Sequence, residues 1–90
     1  MEQQLVKGCK ARGGWAAKMV DMGRRGAPDR ELRFPEGKVI YAETKAADGI
    51  LQSWQSHYHA DLRALGFKVV VLWTIDHVDR FFANVDGGMY

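Results

Sequence analysis

The stretch from Phe67 to Trp73 is apolar at every position except Lys68, and three consecutive valines lie at its centre. A continuous apolar run rich in a β-branched residue is typical of a strand that is buried on both faces of a sheet. The segment before it repeats large apolar side chains at intervals of three and four residues, which predicts an amphipathic helix with one apolar face: Leu51, Trp54, Tyr58, Leu62 and Leu65. A strand at Val39–Lys45 precedes this helix. Two strands joined through a helix lie parallel, so we predict a sheet that contains a parallel pair.

Turn and periodicity signals predict a helix and two strands in the first half of the chain, at residues 2–12, 15–20 and 30–34. The helix is ended by Gly13-Gly14. The turn signal at Pro35–Lys38 joins the second of these strands to Val39–Lys45 as an antiparallel hairpin. A hairpin and a parallel crossover in one sheet make that sheet mixed.

The end of the chain predicts one more helix. Asp76 is expected to cap it, and its buried positions follow helical spacing: Val78, Phe81, Phe82 and Val85. The predicted order is therefore α-β-β-β-α-β-α around a mixed central sheet, an α/β fold in a single domain at 1–90.

Composition excludes several classes of protein. With 90 residues, 47% hydrophobic and 27% charged, the chain has the composition of a small globular domain. It contains one cysteine, Cys9, so neither an internal disulfide nor a cysteine zinc site can form. No apolar run approaches the ~20 residues that span a bilayer, and the first residues lack the pattern of a secretion signal. We expect a cytoplasmic protein with no membrane partner.

The positive charge is concentrated in the first third of the chain. Residues 1–30 carry seven basic and three acidic side chains, whereas each of the other thirds carries three basic and four acidic ones. A basic segment on an otherwise balanced domain is consistent with binding to a phosphate backbone, and a solvated surface is the alternative.

The strand at Val39–Lys45 combines apolar and charged side chains on one face. Residues two apart point to the same side of a strand, so Tyr41, Glu43 and Lys45 share a face. Burial of an unpaired charge costs several kcal/mol, so we expect an open cleft or compensating ions at the end of this face. An ordinary surface pair of Glu and Lys is the alternative.

Asp29 is expected to lie beside this pair. A hairpin with its turn near Glu36-Gly37 brings residue 29 and residues 43–45 to the same open end. Two carboxylates next to a lysine suit a hard divalent cation such as Mg²⁺ or Mn²⁺, which can polarise a phosphodiester and activate water. The lysine would orient or deprotonate that water, or stabilise charge on the phosphate oxygens.

The sequence resembles the PD-(D/E)xK nuclease superfamily and, within it, the VRR-NUC family in its stand-alone phage or prophage form. The resemblance spans residues 2–82 and rests on Pro28-Asp29 followed by Glu43-Thr44-Lys45, and on several flanking segments: Gly14-Trp15 with Lys18, Gly23–Arg30, Gln55 and Leu62–Phe67. It implies a restriction-endonuclease-like core. Met22 and Asp48-Gly49 depart mildly from the family pattern, which has other residues at these turns.

The resemblance implies a role for each matching residue. Asp29 and Glu43 match the metal-binding carboxylates, and Lys45 matches the catalytic lysine. The Thr44 carbonyl and Glu2 on the first helix are expected to complete the metal shell, and Gln55 matches a helix glutamine near the lysine. Four basic side chains are expected to contact DNA phosphates: Lys18, Arg24, Arg25 and Arg30.

The implied function is metal-dependent hydrolysis of DNA, structure-specific and directed at Holliday junctions or other branched DNA. A catalytically silent nucleic-acid-binding module and a small interaction protein are the alternatives. We also expect a homodimer, because the aromatic side chains outnumber what one small sheet can enclose; the C-terminal helix around Phe81 and Phe82, or the tail at Met89-Tyr90, is the expected interface.

Neighbouring side chains are expected to have structural roles. Two residues apart on a helix, His57 and His59 do not share a face and are assigned to surface or packing positions. Trp54 and Tyr58 are assigned to the core rather than to stacking on bases.

Overall fold

A computed structural model of the chain describes residues 1–90 and contains three α-helices and four β-strands. The helices are α1 (Glu2–Ala11), α2 (Ser53–Ala64) and α3 (Ile75–Asp86), and the strands are β1 (Trp15–Lys18), β2 (Arg30–Phe34), β3 (Lys38–Thr44) and β4 (Lys68–Leu72). The observed order is the predicted α-β-β-β-α-β-α. None of the helices has both the length and the apolar character needed to cross a bilayer.

The four strands form one mixed sheet in the order β1-β2-β3-β4. The β1–β2 and β2–β3 pairs are antiparallel, and β3 and β4 are parallel. This confirms the hairpin and the crossover through α2. β4 lies at the edge of the sheet, and the expectation that the Phe67–Trp73 strand is buried on both faces is confirmed only in part: Val69, paired with Tyr41, is buried on one face, and Leu72, paired with Thr44, is buried on the other. Only Val69 and Leu72 of this strand are buried, and Phe67, just before it, is 41% exposed.

The two faces of the sheet differ in character. One face packs against α1 and α3 and forms the hydrophobic core: Leu5, Cys9, Leu32, Phe34, Ile40, Ala42, Leu72, Val78, Phe81 and Phe82. The opposite face carries Tyr41 and Glu43, which alternate with Ile40 and Ala42 along β3. Helix α2 supplies Tyr58, and both Tyr58 and Glu43 are buried. Most of the hydrophobic core therefore lies on one face of the sheet. The polar residues of β3 lie on the other face, under α2.

The turn between β2 and β3 sets the register of the hairpin. Glu36 and Gly37 both adopt positive φ angles, 67° and 74°, and the reversal pairs Arg30 with Ala42. Asp29 therefore enters β2 beside the end of β3, which brings it next to Glu43 and Thr44 as the sequence predicted.

Several element ends differ from prediction. Helix α2 begins at Ser53, so Leu51 lies outside it, and Leu65 at its other end is 76% exposed. Helix α3 is capped by Thr74, whose hydroxyl accepts a hydrogen bond from the His77 amide at 3.1 Å, whereas Asp76 lies in the first turn. Strand β1 ends at Lys18, before the predicted end at Val20.

The expectation that the aromatic side chains exceed what one chain can enclose is met only in part: Trp15, Trp54 and Phe67 are 55%, 37% and 41% exposed, whereas the others named for the interface are largely enclosed. Tyr41, Tyr58, Phe81 and Phe82 are each at most 8% exposed within a single copy. Phe81 and Phe82 contact each other and the core, because the apolar stripe of α3 faces the sheet. The expected interface around these two phenylalanines is therefore already occupied.

Candidate active site

Asp29 is fixed against the end of β3 by hydrogen bonds from Thr44. Its Oδ2 atom accepts from the Thr44 amide at 2.9 Å and from the Thr44 hydroxyl at 3.1 Å. The Asp29 carbonyl accepts from the Met19 amide at 2.9 Å, which closes the loop between β1 and β2. The carboxylate therefore has a defined position at the open end of the hairpin.

Glu43 is a carboxylate almost entirely removed from water. Its side chain is 3% exposed. Its Oε2 atom accepts a hydrogen bond from Gln55 Nε2 at 3.1 Å and lies 3.6 Å from Lys45 Nζ, whereas Oε1 is buried without a partner. Burial raises the pKa of Glu43, the Asp29 carboxylate raises it further, and Lys45 opposes both effects.

Gln55 links the two charged groups of β3 to the first turn of α2. Its Oε1 atom accepts from Lys45 Nζ at 2.9 Å and from the Gln52 amide at 2.9 Å, while Nε2 donates to Glu43. One amide therefore orients the carboxylate and the ammonium together, and it also completes the N-terminus of the helix.

Glu2 reaches the same end of the sheet from α1. Its carboxylate accepts from Arg30 at 3.0 Å and from the Thr44 hydroxyl at 3.3 Å. The hydrogen bond from Arg30 is the main reason that the pKa of Glu2 is lowered. The Thr44 hydroxyl has one proton and lies within reach of both Glu2 and Asp29, so it can satisfy only one of these carboxylates at a time.

The residues fit a divalent cation held by few protein ligands. No group of three or more His, Cys, Asp or Glu side chains lies close enough together to form a complete cage. Two carboxylates are enough for Mg²⁺, which keeps several of its waters. The unpartnered Oε1 of Glu43, and the effect of Asp29 on the pKa of that group, indicate excess negative charge that a cation would neutralise.

Lys18 and Arg30 flank the carboxylates. Both line an open cleft that also includes Glu2, Val20 and Asp29. Arg30 is 12% exposed at its side chain and is held by the Ala16 carbonyl as well as by Glu2, whereas Lys18 is exposed at the end of β1. The cleft therefore has cationic walls beside its acidic groups.

Arg24 and Arg25 lie over the side of α2 rather than among the carboxylates. Arg24 pairs with Asp61 at 2.6 Å and lies over the Tyr58 ring, 4.7 Å from its centroid. Arg25 stacks over Trp54 at 3.6 Å. Trp54 is 37% exposed, so its assignment to the core was only partly right, whereas Tyr58 is buried.

His59, which the sequence assigned to a surface or packing position, is packed inside the domain near Lys45. It is fully buried, and neither ring nitrogen has a hydrogen-bond partner. Burial lowers its pKa, as do the nearby cations Arg63 and Lys45. The available signal was the spacing of four residues from Gln55, which puts both side chains on one face of α2. His57 is exposed.

The chain is similar to known proteins in sequence and in structure. No family profile matches the sequence. A solved structure described as a VRR_NUC domain superposes with a TM-score of 0.85 at 26% identity, covering 91% of this chain and 89% of its own. A protein of Acyrthosiphon pisum secondary endosymbiont phage 1, named "Putative nuclease p44", is 44% identical over 72 residues, 80% of this chain and 77% of the phage protein.

These findings agree with the resemblance seen in the sequence. The mixed sheet with helices on both faces is the restriction-endonuclease-like core of the PD-(D/E)xK class. Within that class, the chain belongs to the VRR-NUC family of nucleases.

The raised pKa of Glu43 predicts that its charge destabilises the metal-free protein. A carboxyl whose pKa is higher in the folded than in the unfolded state favours folding below its ordinary pKa of 4.5, and that contribution is lost as the pH rises through the folded value. We therefore expect Glu43→Gln to raise the free energy of unfolding at pH 7 in EDTA, with the gain shrinking towards pH 4. Urea denaturation across this range measures it.

The control is Glu36→Gln, which neutralises an exposed carboxylate in the hairpin turn. It should change stability little at any pH. A Glu43→Gln protein that is less stable than wild type at pH 7 would contradict the prediction.

Proposed function

We propose that this chain is a divalent-metal-dependent deoxyribonuclease that hydrolyses phosphodiester bonds in branched DNA, including Holliday junctions. The observation that carries this proposal is the convergence of Asp29, Glu43 and Lys45 at the open end of one hairpin. A buried carboxylate with an unpartnered oxygen has no evident role in stabilising the fold, whereas it suits a cation-binding site.

Asp29 and Glu43 would hold the cation, Mg²⁺ or Mn²⁺, with the Thr44 carbonyl as a further ligand. When bound, such an ion polarises the phosphodiester and lowers the pKa of a water molecule. Glu2 would act from outside this set, through the Thr44 hydroxyl that it shares with Asp29.

Lys45 has a donor available for the reaction. An ammonium carries three N–H groups; one donates to Gln55, and one lies towards Glu43 at 3.6 Å. The third is free to orient the attacking water or to stabilise negative charge on the phosphate oxygens. Gln55 would act as a positioning residue, since it holds both Lys45 and Glu43.

The basic side chains would bind the DNA backbone. Lys18 and Arg30 line the cleft beside Asp29, where the scissile phosphate would lie. Arg24 and Arg25 form a second cationic area on the loop and on the side of α2. A phosphate at Arg24 would compete with Asp61 for the same guanidinium group.

A homodimer would suit a symmetric branched substrate, since two copies bring two sites to one junction. The free edge of β4 is the surface we favour for this contact. Two clefts adjoin this strand, each lined by Val70 and Tyr90 together with basic side chains, and Phe67 is partly exposed. An apolar strand edge left open favours pairing with another chain. The site of action we propose is the cytoplasm of a bacterial host.

Separate roles for Asp29 and Lys45 predict different effects on metal binding and on cleavage. Asp29→Ala should abolish both, because it removes a ligand. Lys45→Ala should lower turnover by about 10²–10⁴-fold, typical for loss of a proton-transfer or charge-stabilising group. It should leave Mn²⁺ binding largely intact, because ammonium does not ligate cations. Calorimetry with Mn²⁺ and cleavage of a labelled four-way junction measure the two properties.

The matched control is Lys38→Ala, at the opposite and exposed end of β3, which should retain both. Junction DNA that wild-type protein binds but leaves intact with Mg²⁺ and with Mn²⁺ would instead support a silent binding module. Normal cleavage by Asp29→Ala would remove that residue from the site.

Contacts of Arg24 and Arg25 with phosphates predict a change in salt dependence. Loss of two contacts should lower the slope of log affinity against log salt by about 2. Junction binding by Arg24→Ala/Arg25→Ala, in the Lys45→Ala background to prevent cleavage, measures it. Because Asp61 competes for Arg24, Asp61→Asn should bind more tightly.

Lys10→Ala/Lys38→Ala removes two exposed basic side chains outside the site and outside the proposed dimer surface, and it should keep the wild-type slope. If the arginine pair also keeps it, these residues serve only to attach the loop to α2.

Pairing through the edge of β4 predicts a dimer mass, twice 10.2 kDa, in light scattering at micromolar concentration. Phe67→Lys places a charge at this surface and should give the monomer mass. Trp15→Lys, at the start of β1 and therefore on the opposite edge of the sheet, should remain dimeric. A monomer mass for the wild type across a dilution series would contradict the proposal.

A further inference from the structure

The loop between β1 and β2 exposes two large apolar side chains. Val20 is 77% exposed and Met22 is 95% exposed, the highest value among the large hydrophobic residues of the chain. The same loop carries Arg24 and Arg25. An apolar tip on a basic loop suits a partner that presents both phosphates and stacked apolar surfaces.

The base of this loop is the candidate active site itself. The hydrogen bond from the Met19 amide to the Asp29 carbonyl closes the loop at 2.9 Å. Val20 then lines the same cleft as Lys18, Asp29 and Arg30. A nucleotide whose phosphate lies at Asp29 would therefore have its base near the loop rather than in solvent.

The loop is held in place although its tip is exposed. Asp21 accepts hydrogen bonds from the Tyr58 hydroxyl at 2.7 Å and from the Gly23 amide at 3.0 Å. Asp21 and Gly23 are the two neighbours of Met22 in the chain, so these bonds hold the backbone on both sides of it. Gly26 has a φ of 100° and lies so close to the Trp54 carbonyl that a side chain would collide with it.

These contacts, together with those of the two arginines on α2, present Met22 in a defined position. Because the loop is ordered before binding, little conformational entropy is lost when a partner docks on it.

We propose that this loop is a preformed wedge: Met22 enters between bases at the step beside the scissile phosphate, and Val20 contacts the adjacent base. The proposal rests on the proposed function and specifies its substrate. Apolar side chains such as methionine separate base steps in other DNA complexes. Unstacking costs least where the stack is already interrupted, so the wedge favours branched over continuous duplex DNA.

The test uses a four-way junction and a matched linear duplex, each carrying 2-aminopurine at the step next to the cleavage site. This base analogue brightens when it is unstacked. Binding and fluorescence are measured with Lys45→Ala protein in Mg²⁺, and again with otherwise wild-type protein in EDTA, so that no cleavage intervenes. Under each of these two conditions, the parent protein is compared with variants that also carry Met22→Ser, Met22→Leu or Met89→Ser.

We expect brightening on the junction with the unmodified loop and with Met22→Leu. Met22→Ser should lose most of it and should reduce the preference for junction over duplex roughly ten- to hundredfold, the scale of one buried apolar side chain. Met89→Ser changes a methionine that is 66% exposed outside the loop and should behave as the parent protein.

Unchanged fluorescence and preference in Met22→Ser would overturn the wedge, as would the absence of junction binding in both backgrounds. A Met22→Ser effect confined to the mass in light scattering would also overturn it and would assign Met22 to self-association. Brightening that depends on Met22, without cleavage by wild-type protein, supports the wedge while refuting the nuclease. Cleavage by the wild-type protein, with no effect of Met22→Ser on fluorescence or preference, supports the nuclease while refuting the wedge.

Discussion

The buried carboxylate of Glu43 is the constraint on which the site depends. Its side chain has almost no contact with water, so its charge must be balanced by neighbouring groups of the protein or by an ion. Lys45 supplies an opposite charge, and Gln55 supplies a hydrogen bond while also holding Lys45. Because Gln55 also accepts from the backbone at the start of α2, the position of the helix and the chemistry of the strand are fixed by the same contacts.

The apolar core and the candidate active site lie in different parts of the sheet. Helices α1 and α3 bury a continuous apolar core on one face, and α2 covers a more polar face. The residues proposed for catalysis lie at the end of the sheet or under α2, outside that core. Substitution there removes hydrogen bonds and charges rather than packed apolar volume. The arrangement also joins the basic loop to α2 through Tyr58 and Trp54, so that the loop and Lys45 both contact the same helix.

Local patterns were sufficient to predict the elements and the central part of the site. The alternation of β3 puts Glu43 and Lys45 on one face, and the tight turn brings Asp29 beside them, because both relations depend on short-range geometry. The pattern of β4 was less informative: a valine-rich run predicts a strand with both faces covered, but it is compatible with a central strand and with an edge strand. Whether the strand is central or at the edge depends on the number of strands in the sheet and on where the crossover connection places it.

The sequence by itself determined the order of the elements and the hairpin that carries the carboxylates, since these follow from local periodicity and turn signals. It also determined that the sheet is mixed, because a strand, a helix and a second strand in succession form a parallel pair beside that hairpin. Only the tertiary structure decided which side chains meet across long separations. Asp21 reaches Tyr58, and Arg24 reaches Asp61, each 37 residues along the chain. His59 is buried without partners, although its neighbour His57 is exposed. These outcomes depend on the rotation and position of α2 against the sheet, which arise from packing of the whole domain.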